Sequence, residues 1–269
     1  MAAFLDDLDS SGLPIRSYLH HDFAVEALLR AKAEAHQQIA VCIPARDEER
    51  TIGSIVRCIK DNLVDGPHLV DELVVVDDCS TDATAAEARS AGATVVSGPG
   101  LGKGEAMRLA RGRGADIVVY LDGDVENFGA HYVTGLLGPM LNDDTIMLVK
   151  GAYARAFRDS DSGGGRVTEL VAKPLIALLF PELTGLAQPL AGESAVRAAV
   201  LDKVELDGGY GVEMGMVVDV SSLWGGSAIA QVDLGMRRHR NRSLSELGPQ
   251  ARDVIAAALA RSNFVLPDL

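Results

Sequence analysis

The chain has 269 residues, 48% of them hydrophobic and 23% charged, with a formal net charge of −13. That length fits one large α/β domain or two small ones, with ample material for a core. The acidic balance argues against nucleic acid or an anionic membrane as the main partner, because both demand clustered Lys and Arg. Aromatic residues make up only 4% of a chain with 28 glycines, so the core is aliphatic and the loops are tight. Three cysteines, Cys42, Cys58 and Cys79, form no C-x-x-C pair, which excludes a disulfide scaffold or a Cys-type zinc site and favours a reducing compartment. The opening MAAFLDDLDSSG lacks the basic and apolar regions of a signal peptide. The apolar runs at 73–76, 117–121 and 174–180 are far shorter than a membrane span. A cytoplasmic protein without integral membrane association is expected.

Residues 1–20 read as irregular and 21–37 as helical, an N-terminal extension over 1–38. IAVCIP (39–44) is a buried strand stopped by Pro44, and RDEERTIGSIVRCIKDNL follows with helical spacing. DELVVVDDCSTD is a strand running into a polar turn, ATAAEARSAG a helix ending at Gly92, and ATVVSG a short strand. Gly-rich PGLGKG opens the helix EAMRLARGRG, and ADIVVYLDGD is the next strand. Strands made of continuous Val/Ile runs alternating with helices predict a parallel sheet covered on both faces. Beyond residue 150, TIMLVKGAYARAF predicts a long strand and SDSGGGR a loop. VTELVAKPLIALLFPEL predicts a helix interrupted near Pro174, and YGVEMGMVVDVSSLWG a further helix. IAQVDLGMRRHR predicts a strand and LSELGPQARDVIAAALARS a closing helix. The expected organisation is one α/β domain in two halves, 39–150 and 151–269, the second carrying an acceptor-binding elaboration.

Ligands of open parallel sheets bind beyond the carboxyl ends of the strands. Asp122-Gly123-Asp124 falls at such an end, and two carboxylates two residues apart can face one side and hold Mg2+ or Mn2+. A solvated acidic turn is the plainer alternative. Two other strands end in Asp77-Asp78-Cys79-Ser80 and in Pro44-Ala45-Arg46-Asp47-Glu48, so three strands deliver polar residues to one edge, although Ser80 or Asp82 can equally cap a helix. Lys103, flanked by Gly102 and Gly104 at a helix start, suits a phosphate. Gly163-Gly164-Gly165-Arg166, with Val167 and Thr168 beside it, is a second anion-binding candidate, or a surface loop. The run Arg237-Arg238-His239-Arg240-Asn241-Arg242 is the one basic stretch, better suited to a small anionic ligand than to a duplex. His239 within it could join Asp124 around an ion.

Taken in order, IPARDEERTIGSIV, VVVDDCSTDAT, GKGEAM and YLDGDV resemble the nucleotide-binding half of GT-A glycosyltransferases. GGGRVTELVAKPL, PELTGLAQPLAGE, GYGVEMG and IAQVDLGMRRHRNRSLSELG resemble the glucosyl-3-phosphoglycerate synthases of actinobacteria. The resemblance runs from about Ile39 to about Ala260. It implies a GT-A fold: a mostly parallel central sheet flanked by helices, with a Rossmann-like nucleotide-binding half. The implied reaction moves glucose from UDP-glucose to the 2-hydroxyl of 3-phosphoglycerate with retention of configuration. By position in the motifs, Pro44, Ala45, Arg46, Asp47, Glu48, Asp78, Lys103, Asp122 and Gly123 would line the UDP site, with Tyr210, Glu213, Arg237 and Arg242 bordering the donor. Asp124 and His239 would bind Mg2+, with Mn2+ as a substitute. Gly165, Arg166, Val167, Thr168 and Asn241 would take 3-phosphoglycerate. Glu213 is expected to orient sugar hydroxyls, and a homodimer is expected from the same resemblance. Asp78 departs from the family pattern, where serine is expected, and the stretches before Gly102 and Gly163 are shorter.

Other readings remain open on the residues alone. A mannosyl-3-phosphoglycerate synthase would use GDP-mannose, a nucleotidyltransferase would release pyrophosphate, and a nucleotide-sugar-binding protein would show no turnover.

Overall fold

A computed structural model of the chain describes residues 15–110, 114–155, 165–238 and 244–262. The first half runs β1 (Arg16–Leu19), α1 (Val25–Glu34), β2 (Ile39–Ala45), α2 (Ile52–Ile59), β3 (Glu72–Asp77), α3 (Thr84–Ser90), β4 (Thr94–Ser97), α4 (Lys103–Ala110) and β5 (Ile117–Tyr120). The second runs α5 (His131–Asn142), β6 (Leu148–Arg155), α6 (Lys173–Leu179), β7 (Ser194–Arg197), α7 (Ala198–Leu201), α8 (Val212–Trp224), β8 (Ile229–Arg237) and α9 (Leu244–Arg261). Among the described residues the strands form one eight-stranded sheet in the order β1-β8-β6-β7-β5-β2-β3-β4. All neighbours are parallel except β7, which runs against both β5 and β6. Because β6 crosses residue 150, the sheet is continuous across the two expected halves.

The apolar runs become strands because they can be buried on both faces, and alternate residues divide between two cores. Val41 and Ile43 of β2, Val75 of β3 and Val119 of β5 face one cluster, which α2 closes with Ile52, Ile55, Val56 and Ile59 at helical spacing. Cys42, Val74, Val76, Val118 and Tyr120 face the other, under Met107 of α4, Val212 and Val217 of α8 and Val254 of α9. The result is a helix–sheet–helix sandwich. Pro44 is tolerated inside β2 because its ring nitrogen lies past the ladder with β5. The last bond there runs from Leu121 N to Cys42 O, two residues earlier on the same side of the strand. Register aligns the strand ends, pairing Cys42 with Tyr120 and Ala45 with Asp77, so the loops after β2, β3 and β5 open together.

Several elements differ from the sequence expectation, among them the short α7, which was not foreseen. Residues Arg16–Leu19, expected to be irregular, form an edge strand parallel to β8, so the N-terminal extension is not helical throughout. Its anchor is Arg16, which pairs with Asp143 and donates to Ser227 O at 2.7 Å. The helix α5 has no counterpart in the expectation: Gly135, Gly138 and Pro139 mask its period, yet Gly138 is there for contact, since a Cβ would fall 2.1 Å from the Phe23 ring. The short β7 was also not foreseen, because four residues carry too little pattern. Elsewhere the break near Pro174 takes a specific form. A π-helical turn over Thr168–Ala172 runs directly into α6, and Pro174 falls just past it, so the irregular turn absorbs the interruption that a proline makes in a continuous helical ladder. No helix among the described residues is long and apolar enough to cross a membrane.

Candidate active site

A cavity of about 390 Å³ opens at the carboxyl ends of the parallel strands. Its wall brings together residues far apart in sequence: Pro44, Ala45, Arg46 and Glu48 after β2, Asp78 after β3, and Lys103 at the start of α4. Asp122, Gly123 and Asp124 follow β5, and Gly165 to Thr168, Tyr210, Glu213 and Arg237 complete the wall. Asp47 does not line it; at a φ of +56° it instead accepts from Thr81 N at 2.7 Å and locks the β2 and β3 loops together. His239, Asn241, Arg242, Gly163 and Gly164 lie outside the described residues.

The centre of the wall is a chain of ion pairs. Lys103 Nζ lies 2.6 Å from Asp122 Oδ1 and 2.7 Å from Glu213 Oε1. The other oxygen of Asp122 and Oδ1 of Asp124 each accept from Arg237 Nη2 at 2.8 Å, so the two carboxylates do converge on one side of the turn. Arg237 is only 3% exposed. Its Nη1 donates to Tyr153 Oη at 2.7 Å and to Glu193 Oε2 at 3.0 Å. Thus the first residue of the basic run turns inward onto carboxylates rather than presenting a free cation. Burial disfavours a charged Lys103, but Asp122 and Glu213 outweigh it and raise its pKa. Burial likewise works against ionised Asp122, but Lys103 and Arg237 hold its carboxyl far below the usual range.

Asp78 contributes shape rather than an open carboxylate. Its oxygens accept from Gly100 N at 2.7 Å and Gly102 N at 2.9 Å, fixing the loop that delivers Lys103. Asp82, by contrast, serves the start of α3, accepting from Thr84 N at 2.9 Å.

Beneath the wall lie charged residues that sequence reading missed. Glu193 and Lys150 are 0% and 1% exposed, and Lys150 donates its ammonium to Ala191 O. Between them runs Gly192, where a Cβ would stand 2.0 Å from Asp122 Oδ1 and 2.4 Å from Lys103 Nζ; only glycine lets the chain pass there. Leu247, Gln250 and Val254 of α9 also face the cavity. A Lys inside the apolar run LVKGAY was the one available signal for Lys150. Burial pulls its pKa down to about 8, against the opposing pull of Glu213. In the unfolded chain Lys titrates near 10.4, so between about pH 8 and 10 the unfolded state holds the extra proton and stability rises with pH. Urea unfolding across that window should show a slope that flattens in Lys150→Met.

Among the described residues no three His, Cys, Asp or Glu side chains converge as a ligand cage. Asp124 nevertheless fits one kind of cation. Mg2+ and Mn2+ take one or two carboxylates and complete their shells with water and phosphate oxygens. Among the residues lining the cavity, the acidic Glu48, Asp78, Asp122, Asp124 and Glu213 outnumber the basic Arg46, Lys103, Arg166 and Arg237 by one, leaving room for positive charge.

Residues 40–170 match the family model described as glycosyl transferase family 2. The glucosyl-3-phosphoglycerate synthase of Mycolicibacterium paratuberculosis is 48% identical over 253 residues, which span 88% of this chain and 75% of that protein. The crystal structure of the Mycobacterium tuberculosis enzyme of that name, in complex with Mn2+, UDP-glucose and phosphoglyceric acid, superposes with a TM-score of 0.84 at 44% identity, covering 96% of this chain and 90% of that one. Mannosyl-3-phosphoglycerate synthase from Rubrobacter xylanophilus gives a TM-score of 0.85 at 39% identity, covering 91% and 80%. The fold is therefore GT-A, and the chain belongs to the glucosyl-3-phosphoglycerate synthase family of glycosyltransferases.

Proposed function

We propose that this protein transfers glucose from UDP-glucose to the 2-hydroxyl of 3-phosphoglycerate, with retention at the anomeric carbon and dependence on Mg2+ or Mn2+. The observation that carries this reading is one cavity holding both a carboxylate–lysine wall suited to a sugar nucleotide and, in Gly165 to Thr168, a separate anion-type segment. The relatives add the ligands: a structure 44% identical to this chain is a complex with Mn2+, UDP-glucose and phosphoglyceric acid.

In this reading the loops carrying Pro44 to Glu48 and Asp78 frame the nucleotide, while Tyr210, Arg237 and Arg242 border the donor. Asp124, with His239, would hold the ion, which when bound would stabilise the charge developing on the UDP leaving group. Lys103 sits where it can neutralise a phosphate oxygen while keeping Asp122 and Glu213 in place. Glu213, 8% exposed at the start of α8, accepts from sugar hydroxyls rather than attacking the anomeric carbon. The acceptor hydroxyl then approaches on the face the leaving group departs from, with the donor phosphate taking its proton.

The acceptor's phosphate and carboxylate fall to Gly165, Arg166, Val167, Thr168 and Asn241. Arg166→Ala is expected to raise the KM for 3-phosphoglycerate about tenfold or more, the scale of a lost charged hydrogen bond, with little change in the KM for UDP-glucose. Steady-state kinetics varying each substrate in turn checks this. The setting we propose is a cytoplasmic homodimer in glucosylglycerate or methylglucose polysaccharide synthesis; that Cys42, Cys58 and Cys79 form no disulfide suits a reducing compartment.

The deciding experiment is UDP release from UDP-glucose with Mg2+, with and without 3-phosphoglycerate, and with GDP-mannose in parallel. Release that requires both acceptor and ion is expected. Faster turnover of GDP-mannose would move the chain to the mannosyl reading, which the Rubrobacter structure favours as the second choice. Binding of UDP-glucose without turnover of either donor would leave a sensor.

A further inference from the structure

Arg237 is held on both sides. One terminal nitrogen serves Asp122 and Asp124 at 2.8 Å each, and the other serves Tyr153 Oη at 2.7 Å and Glu193 Oε2 at 3.0 Å. A guanidinium is planar and its donors are fixed relative to one another, so whatever grips one end sets where the other end points. The Tyr153 ring also lies against it, 5.0 Å from the guanidinium carbon. Glu193 itself does not line the cavity; with 0% exposure it lies behind Arg237, at the residue just before β7. Because β7 is antiparallel, its start meets the carboxyl end of β5, with Ser194 opposite Tyr120, and Glu193 therefore lies behind the site.

We infer that Glu193 is a positioning residue, acting through Arg237 to hold Asp122 and Asp124 in the orientation that receives the cation and the diphosphate. Two consequences of its charge support this. A buried guanidinium cannot lose its proton, so an anion must accompany it. Glu193 supplies that anion from behind, so Arg237 does not set its full charge against a cation at Asp124. Only one oxygen of Asp124 is engaged by Arg237 among the described residues. Removing the charge of Glu193 would therefore weaken cation binding by two routes, lost orientation and added repulsion. The inference rests on the cation and donor reading above.

The test is Glu193→Gln in the full chain, isosteric but uncharged. Mn2+ affinity in the presence of UDP is measured by calorimetry, alongside kcat and both KM values. Mn2+ binding weakened about tenfold or more, the usual scale for groups that orient a metal ligand, is expected. The KM for 3-phosphoglycerate should stay within twofold. Glu193→Asp, which keeps the charge, should fall between Glu193→Gln and the parent. A folded Glu193→Gln protein with the parent's Mn2+ affinity overturns the inference whatever its kcat, and so does a Glu193→Asp protein indistinguishable from it. If Glu193→Gln fails to fold, Glu193→Asp carries the test alone, since the shorter side chain withdraws the carboxylate from Arg237, and there the parent's Mn2+ affinity overturns the inference. Failure of the parent protein itself to bind UDP with Mn2+ would instead overturn the transferase reading.

Discussion

Lys103→Met should lower kcat by about a thousandfold and destabilise the fold by about 3–5 kcal/mol, the cost of removing one partner from a buried charge pair. The ammonium stands between Asp122 and Glu213 at 2.6 and 2.7 Å, and those side chains are only 24% and 10% exposed. Without it, two carboxylates would face each other in a partly dry wall. One of them would then take up a proton or the wall would open, and either change disrupts the donor site. Denaturant unfolding measures the stability loss, and steady-state kinetics the loss of turnover. Adding Glu213→Gln to Lys103→Met should recover much of the stability and none of the activity. That separates the structural role of the ion pair from its chemical one.

Asp124→Ala is expected to abolish acceptor-dependent UDP release, by about a thousandfold or more, while leaving the fold nearly as stable as before. Arg237 would still be paired with Asp122 and Glu193, so no buried charge is stranded. The opposite balance from Lys103→Met makes the two variants informative together: one damages wall and chemistry, the other chemistry alone. Calorimetry of UDP binding should show that added Mn2+ no longer tightens it. Retained Mn2+-dependent binding in this variant would remove Asp124 from the cation site.

How far the sequence could be read depended on where burial lies. β2, β3 and β5 were legible because strands buried on both faces read as unbroken apolar runs. At the edge, β1 was not, because RSYL alternates partly buried and exposed residues over only four positions. The period of α5 is concealed by glycines that exist for close packing, which sequence alone cannot distinguish from loop glycines. In the site, Asp122-Gly123-Asp124 and Lys103 stood out by spacing and by position at strand or helix ends. Glu213 came only through family resemblance, since one acidic residue in GYGVEMG has no local signature. Glu193 and Gly192 were silent for a different reason. Their significance comes from a strand that reverses direction, and the reversal is a property of the sheet rather than of any short segment.

The two borders of the sheet carry one further implication. Both β1 and β4 are four residues long, and Thr94 and Ser97 of β4 are exposed. A neighbouring copy adding a strand at either border would find a template too short to hold a register, with few backbone groups to engage. Two copies of this protein have little to gain from extending one another's sheet, and the surface on which to seek a twofold contact is the helical one.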